Sequence, residues 1–278
     1  NGFALETPPI DQEQVLFGVR PCDVNAILIF DRVFGGRYKD PNWWERREHT
    51  LIVAANCTTV AEECFCTSWG TGPGLQANYD LLLTDLGDRF LLEADSPEGD
   101  ALADQLDLET ADGEDLAIKA RLLAKATASV KKILAVKPPD LHAFLEERFS
   151  HEAWQSQADV CFSCGNCTLV CPTCYCFNVY ENYSPALNAG ERRADWDSCQ
   201  LLEFARIAHG YNFRRTRIDR FKHRTIHKLS WMMQQYGMPG CVGCGRCVRW
   251  CPSWPVRRGR PTSLADPVEI VDDLLEAM

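Results

Sequence analysis

Two copies of one cysteine pattern constrain this chain more than any other feature. The first copy is Cys161-x2-Cys164-x2-Cys167-x3-Cys171 followed by Pro172, and the second is Cys241-x2-Cys244-x2-Cys247-x3-Cys251 followed by Pro252. This spacing is typical of bacterial iron–sulfur proteins. Two runs of four cysteines do not fit a zinc ribbon, which needs two C-x2-C pairs. A disulfide framework suits short secreted chains, rather than one of 278 residues.

The spacing also predicts which cysteines share a cluster. In such runs, three closely spaced thiolates surround one face of a [4Fe–4S] cluster, and the fourth reaches the neighbouring cluster. We therefore expect two [4Fe–4S] clusters whose ligands cross between the motifs. The first ligand set is predicted to be Cys161, Cys164, Cys167 and Cys251, and the second is Cys241, Cys244, Cys247 and Cys171.

Composition limits the class of protein. A hydrophobic content of 46% over 278 residues is enough for two packed domains. The net charge of −10 argues against a nucleic-acid partner. No apolar run approaches the length of a membrane span, and no charged-then-apolar leader is visible. The fifteen cysteines and the predicted clusters favour a reducing compartment, so we expect a cytoplasmic protein.

The first part of the chain has an α/β pattern. A strand is predicted at Gln14–Arg20, a helix at Val24–Phe34 capped by Asp23, and a second strand at Thr50–Ala55. A right-handed crossover would make the two strands parallel. We predict an α/β domain over 1–140, a linker over 141–160, a helical two-cluster ferredoxin domain over 161–255 and a tail helix within 256–278.

The long stretch between the two motifs indicates helices rather than a small sheet. Helices are predicted near Gln200–Ala208 and Asp219–Tyr236, so the ferredoxin domain is expected to be all-α. The second helix overlaps a basic stretch that runs from Arg214 to Arg224. One interpretation of this stretch is a solvated helix face; the other is compensation of the cluster charge or docking of an acidic subunit, and both can hold together.

Four further cysteines follow the predicted strands of the first domain. Cys22 comes just after the first strand, Cys57 just after the second, and Cys64 and Cys66 lie on the same loop as Cys57. If the strands are parallel neighbours, these thiols meet at the carboxyl edge of the sheet, where open α/β sheets place ligands. They would hold a third iron–sulfur cluster or a zinc ion. The alternative is four small buried hydrophobic side chains.

Three cysteines and two histidines have simpler interpretations. We expect Cys174, Cys176 and Cys199 to be buried thiols packed near the clusters. His223 and His227 lie on one face of the longer predicted helix, and we expect packing rather than ligation.

Several segments together resemble one known family. They are Gly18-Val-Arg-Pro-Cys22-Asp, Asn56-Cys57, Cys64-Phe-Cys66-Thr-Ser, Cys171-Pro-Thr-Cys174-Tyr-Cys176-Phe, Trp196-Asp-Ser-Cys199 and Cys241-Val-Gly-Cys244-Gly-Arg-Cys247. The chain is similar to the dicluster iron–sulfur (beta) subunit of cytosolic NiFe hydrogenases of the sulfhydrogenase type, a group that includes the iron–sulfur subunit of anaerobic sulfite reductases. The resemblance implies electron transfer beside a flavin subunit that handles NAD(P)H and a catalytic NiFe hydrogenase or reductase subunit.

Functional alternatives follow from these patterns. The favoured one is a non-catalytic electron-transfer subunit of a hydrogenase complex, and the alternative within the same family is a subunit of a sulfite or sulfur reductase. A third hypothesis is a catalytic metal site at Cys22, Cys57, Cys64 and Cys66, and a fourth is a purely structural iron–sulfur scaffold. The sequence has no Gly-x-Gly-x-x-Gly motif after a strand and no P-loop, so a nucleotide site within this chain is not expected.

Overall fold

A computed structural model describes residues 12–276, and these form two compact units. The first unit comprises the chain up to Val60 together with Thr71–Ser129. The second comprises Ala61–Gly70 and the chain from Val130 onward. The short stretch 61–70, which carries Cys64 and Cys66, therefore belongs to the second unit.

The first unit is built on a four-stranded sheet with the strand order β1-β2-β3-β4. The strands are β1 (Gln14–Val19), β2 (Thr50–Ala55), β3 (Leu81–Asp85) and β4 (Phe90–Ala94). Strands β1, β2 and β3 are parallel, whereas β3 and β4 form an antiparallel hairpin. The predicted parallel pairing of β1 with β2 is confirmed, with Leu16 opposite Ile52.

Four helices accompany this sheet. They are α1 (Pro21–Phe34), α2 (Pro41–Glu48), α3 (Pro97–Ala103) and α4 (Gly113–Ser129). The prediction of Asp23 as the cap of α1 is wrong, because the helix already begins at Pro21, a residue type that suits the first helical position. Asp40 caps α2 as its residue type favours. Its Oδ1 atom accepts a hydrogen bond from the backbone N–H of Asn42 at 2.8 Å.

The core of the first unit consists of apolar side chains from α1, β2, β3 and the loop before β3. These residues are Val24, Ile52, Ala54, Leu75, Tyr79 and Leu82. The continuous apolar run of β2 and the apolar face of α1 therefore both contribute to this core, as expected for a buried strand.

The second unit combines short helices with two small hairpins. The helices are α5 (Leu141–Glu147), α6 (Ala153–Asp159), α7 (Asn166–Leu169), α8 (Arg217–Ile226), α9 (Met232–Tyr236), α10 (Arg246–Arg249) and α11 (Pro267–Glu276). Residues His227–Trp231 form a π-helical turn between α8 and α9. The helix predicted near 200–208 is wrong, since only 3₁₀ turns at Glu203–Ala205 and Ala208–Gly210 occur there.

The expectation of an all-α ferredoxin domain is not confirmed. Residues between the two motifs include a hairpin of β5 (Phe177–Tyr183) and β6 (Gly190–Trp196), and the strands β7 (Val256–Arg257) and β8 (Arg260–Pro261) follow the second motif. Both strands of the first hairpin are exposed along their whole length. An isolated two-stranded ribbon has no buried face, so its sequence lacks the apolar alternation that predicts a strand.

The core of the second unit draws on helices from both sides of the cysteine motifs. It includes Leu141 and Leu145 of α5, Trp154 of α6, Ile226 of α8 and Ile270 of α11, each with essentially no exposed surface. The segment predicted as a linker thus forms two helices whose apolar residues are in the core of the second unit. In the stretch that the structure describes, no helix is both long and apolar enough to cross a membrane.

Candidate metal centres

The first cysteine motif folds as a loop followed by one helical turn. Ser163 and Gly165 have positive φ angles of 51° and 81°, and they reverse the chain so that α7 begins at Asn166. The backbone N–H of Ser163 donates to the Sγ atom of Cys161 at 3.4 Å. A hydrogen bond of this kind stabilises a thiolate and tunes the potential of the centre it binds.

The second motif repeats this geometry. Gly243 and Gly245 have φ angles of 62° and 74°, and α10 begins directly after Gly245. The backbone N–H of Gly243 donates to Cys241 Sγ, again at 3.4 Å. The two motifs are therefore conformational copies, and each directs a backbone dipole at its first thiol.

The two motifs together line two cavities, and each cavity takes cysteines from both. The first cavity is lined by Cys161, Cys164, Cys167 and Cys251. The second is lined by Cys241, Cys244, Cys247 and Cys171. These are the two groups that the sequence predicts, with the fourth cysteine of each motif beside the other motif's three.

Burial disfavours ionisation of several thiols in the two cavities, whereas a hydrogen bond with the Cys174 thiol lowers the pKa of Cys171 well below its ordinary value. Burial raises the pKa of Cys167 and of Cys244 to about 12, and it also raises the pKa of Cys241. A thiolate is the form that binds metal, so these side chains gain from ionisation only when a metal centre offsets the cost. All eight motif cysteines are free thiols rather than disulfide partners.

The arrangement fits a multinuclear cluster better than a single ion. Four thiolates about 2.3 Å from one zinc ion lie within roughly 4 Å of one another. Among residues 12–276, no three His, Cys, Asp or Glu side chains form a group that could hold one metal ion. The cysteines instead surround the two cavities, which is the donor set that [4Fe–4S] clusters take.

Two buried cations lie beside the cavities. Arg224 lines both of them and Lys228 lines the second, and each side chain is only 6% exposed. Burial alone would lower the pKa of Arg224, but the neighbouring thiols, Cys167 foremost, raise it well above its ordinary value. The Nε atom of Arg224 has no hydrogen-bond partner within the described part of the chain. A buried, partly unsatisfied cation is costly unless an anionic group adjoins it.

The burial of individual arginines distinguishes between the interpretations of the basic stretch from Arg214 to Arg224. A solvated helix face is wrong for Arg220 and Arg224, which are buried. It holds for Arg217, the first residue of α8, which is exposed, and Arg215 before the helix is exposed as well. Charge compensation is therefore the interpretation that fits Arg224.

The four cysteines of the first predicted domain are divided between the units. Cys22 is the second residue of α1 and Cys57 follows β2, so both come after the carboxyl ends of neighbouring parallel strands in the first unit. Cys64 and Cys66 belong to the second unit. Their loop packs on the second motif, where the N–H of Phe65 donates to Gly243 O at 2.9 Å.

Cys174, Cys176 and Cys199 line a third cavity together with Arg224, His227 and Lys228. The sequence favours packing alone for these thiols. Cys199 is buried as expected, but the three thiols also share one cavity wall. A C-x-C pair with a third cysteine much later in the chain gives no standard metal-ligand spacing, so only the folded hairpin reveals the group.

Comparison with known proteins identifies the family. The family model for a 4Fe-4S dicluster domain matches residues 160–254. The chain is 36% identical over 245 residues to sulfhydrogenase 2 subunit beta of Pyrococcus furiosus, and the alignment covers 87% of this chain and 71% of that relative. No solved structure matches the chain significantly. The chain therefore belongs to the family of dicluster iron–sulfur beta subunits of the sulfhydrogenases and is an iron–sulfur electron-transfer protein.

Proposed function

We propose that this chain relays electrons through two [4Fe–4S] clusters, between a flavin subunit that handles NAD(P)H and the catalytic NiFe subunit of a hydrogenase complex. The relative from Pyrococcus furiosus is named as a sulfhydrogenase subunit, which supports a hydrogenase complex as the setting. A reducing cytoplasm suits fifteen cysteines and oxygen-sensitive clusters.

The observation that carries this proposal is the exchange of the fourth cysteine between the two cavities. Cys161, Cys164, Cys167 and Cys251 would hold the first cluster, and Cys241, Cys244, Cys247 and Cys171 the second. A cluster supplies one-electron transfer at a potential set by burial, charge and hydrogen bonds. The chain supplies all three determinants. The apolar cavity walls provide burial, and Arg224 provides charge. The backbone N–H groups of Ser163 and Gly243 donate hydrogen bonds to the thiols of Cys161 and Cys241.

One face of the first cavity suits contact with a partner subunit. Cys164 is exposed, and Phe162, which lines the same cavity, is 68% exposed. Trp250 and Trp254 on either side of Cys251 are 59% and 49% exposed, and Trp254 Nε1 donates to Cys251 O at 2.8 Å. Aromatic side chains are enriched at subunit interfaces because they bury large areas. We assign this face to a redox subunit of the complex, since an exposed ligand brings a cluster within short range of the partner's own centre.

The third [4Fe–4S] cluster that the sequence predicts at Cys22, Cys57, Cys64 and Cys66 stays a prediction. The parallel pairing of β1 with β2 places Cys22 and Cys57 after adjacent strand ends within the first unit. Iron analysis of the complex tests it, with Cys64→Ala combined with Cys66→Ala. A loss of about four irons, the content of one cubane, supports the site. An unchanged iron content in folded protein contradicts it.

The ligand exchange is tested by comparing single-cysteine variants by electron paramagnetic resonance after anaerobic reduction. If the fourth ligands are exchanged, Cys251→Ser perturbs the same signal as Cys164→Ser, and Cys171→Ser perturbs the same signal as Cys244→Ser. If each motif binds its own cluster, Cys171→Ser instead matches Cys164→Ser. Absence of both cluster signals and of iron from the anaerobically prepared native complex would overturn the proposed relay itself.

A further inference from the structure

The third cavity resembles the two cluster cavities in its construction. Its wall combines three cysteines, Cys174, Cys176 and Cys199, with the buried cations Arg224 and Lys228. Arg224 also lines both cluster cavities, and Lys228 also lines the second. The Arg224 side chain therefore borders all three cavities, and its positive charge would stabilise an anionic group in each of them.

The β5–β6 hairpin brings the three thiols together. Cys176 directly precedes β5, Cys174 lies three residues before it, and Cys199 lies three residues after β6. The strands are paired up to their base, with Phe177 opposite Trp196, and Asp197 N–H donates to Cys176 O at 2.9 Å. As a result the thiols of Cys176 and Cys199 are in hydrogen-bonding contact.

The charge around this cavity favours an anionic occupant. Lys228 is buried, and its Nζ atom donates to the backbone carbonyl and the hydroxyl of Thr173. The thiols of Cys174 and Cys171 raise the pKa of Lys228, and the Tyr175 ring centroid lies 5.9 Å from its Nζ atom. Two buried cations among neutral thiols would be expensive, whereas thiolates on an iron–sulfur core would offset both charges.

We propose that Cys174, Cys176 and Cys199 are ligands of a further iron–sulfur cluster at the base of the hairpin. His227 also lines the cavity, with its Nε2 atom 3.5 Å from the Tyr175 hydroxyl, and offers its imidazole as a fourth protein ligand. The tip of the hairpin is exposed, with Tyr183 56% accessible. The site would then be a third redox centre within the second unit, next to a surface arm that a partner subunit could contact. It does not depend on which catalytic subunit the chain serves.

The decisive test is anomalous diffraction at the iron edge from anaerobic crystals of the native complex. An iron peak bordered by Cys174, Cys176 and Cys199, beside the two peaks of the motif cavities, supports the site. A disulfide between Cys176 and Cys199, a zinc signal, or three protonated thiols without iron would each overturn it. The same map shows the iron peaks in the motif cavities separately. Absence of iron from the third cavity alone would therefore contradict this site without contradicting the two-cluster relay.

A solution experiment uses the double variant Cys176→Ser/Cys199→Ser in the background Cys64→Ala/Cys66→Ala. The background removes any iron held by the loop at 61–70. The double variant should lose a further three to four irons per chain, about the content of one cluster, and keep the signals that Cys164→Ser and Cys244→Ser abolish. Tyr183→Ser in the same hairpin is the control and should lose no iron. An unchanged iron content in folded double variant contradicts the proposal.

Discussion

The Nζ atom of Lys228 lies 3.1 Å from the Oγ1 atom of Thr173, and that hydroxyl lies 3.2 Å from the Sγ atom of Cys171. Thr173 is fully buried, and its hydroxyl also donates to Gly240 O at 2.7 Å. The ammonium group is thus anchored one side chain away from a predicted cluster ligand. A cation in this position stabilises the reduced, more negative state of a cluster.

Lys228→Met should therefore lower the reduction potential of the second cluster while leaving the first almost unchanged. A unit charge about 7 Å away at an effective dielectric constant of about 20 contributes on the order of 2 kcal/mol, or roughly 100 mV for one electron. Redox titration followed by electron paramagnetic resonance measures the shift. Lys222→Met on α8 is the control, because the Lys222 ammonium donates to Phe149 O, away from the linings of both cavities. Equal shifts in both variants would exclude a local effect of Lys228.

Gly243 of the second motif packs so closely against the backbone of Cys66 that a side chain at this position would clash. A Cβ atom there would lie 2.6 Å from both the Cα and N atoms of Cys66, in addition to the strain of a φ angle of 62°. We expect Gly243→Ala to destabilise the protein by about 3 kcal/mol or more. The matched control is Gly237→Ala, which has a φ of 72° but open space around the new methyl group. That control should cost about 1–2 kcal/mol.

Thermal unfolding of the anaerobic protein compares these two variants. The midpoint for Gly243→Ala should fall by roughly 5 °C more than that for Gly237→Ala, because the difference of about 2 kcal/mol acts on a unit of this size. Equal midpoints would mean that the backbone of the 61–70 loop moves to accommodate the methyl group with no loss of stability.

Gly99 offers a parallel test in the first unit. It lies inside α3, where alanine is ordinarily preferred over glycine by about 0.5–1 kcal/mol. Here a Cβ atom would lie 2.0 Å from the carbonyl oxygen of Asp80, so we expect Gly99→Ala to destabilise instead, by about 2 kcal/mol. Gly113→Ala at the start of α4 meets no atom and should be neutral or slightly stabilising. Chemical denaturation followed by circular dichroism measures both, and a stabilised Gly99→Ala would contradict the contact.

A substitution in α5 tests whether the segment predicted as a linker is part of the core of the second unit. Leu145 is fully buried, so Leu145→Ala should cost about 2–5 kcal/mol. The control position, Ile133, is in the same unit and is 63% exposed. Ile133→Ala should change the free energy of unfolding by no more than about 0.5 kcal/mol. Denaturant titration measures both variants, and similar small effects would support a loosely attached linker.

The sequence predicts those features of the fold and of the candidate site that depend on local residue spacing. The two groups of four cysteines and strand β2 both follow from short local patterns. The parallel pairing of β1 and β2 follows from the same logic, since one helix-containing crossover connects them.

What the sequence does not predict depends on tertiary contacts. The run at 200–208 has helical composition, yet Gln200 donates to Arg220 O and His209 adopts a left-handed conformation, so only 3₁₀ turns form. Arg224 belongs to a charge run that is typical of a solvated face, and its burial follows from the cysteines that surround it. Cys199 joins Cys176 only because β5 and β6 pair.

Arg224 gives the most discriminating prediction, because its side chain borders all three cavities. Arg224→Met should lower the potentials of both motif clusters together, each by on the order of 100 mV. Arg224→Lys keeps the charge and should restore most of the shift, although it loses the planar guanidinium. Arg215→Met, an exposed position in the same basic stretch, is the control and should leave both potentials unchanged. If Arg224→Met shifts only one cluster, as Lys228→Met should, the arginine does not serve both centres.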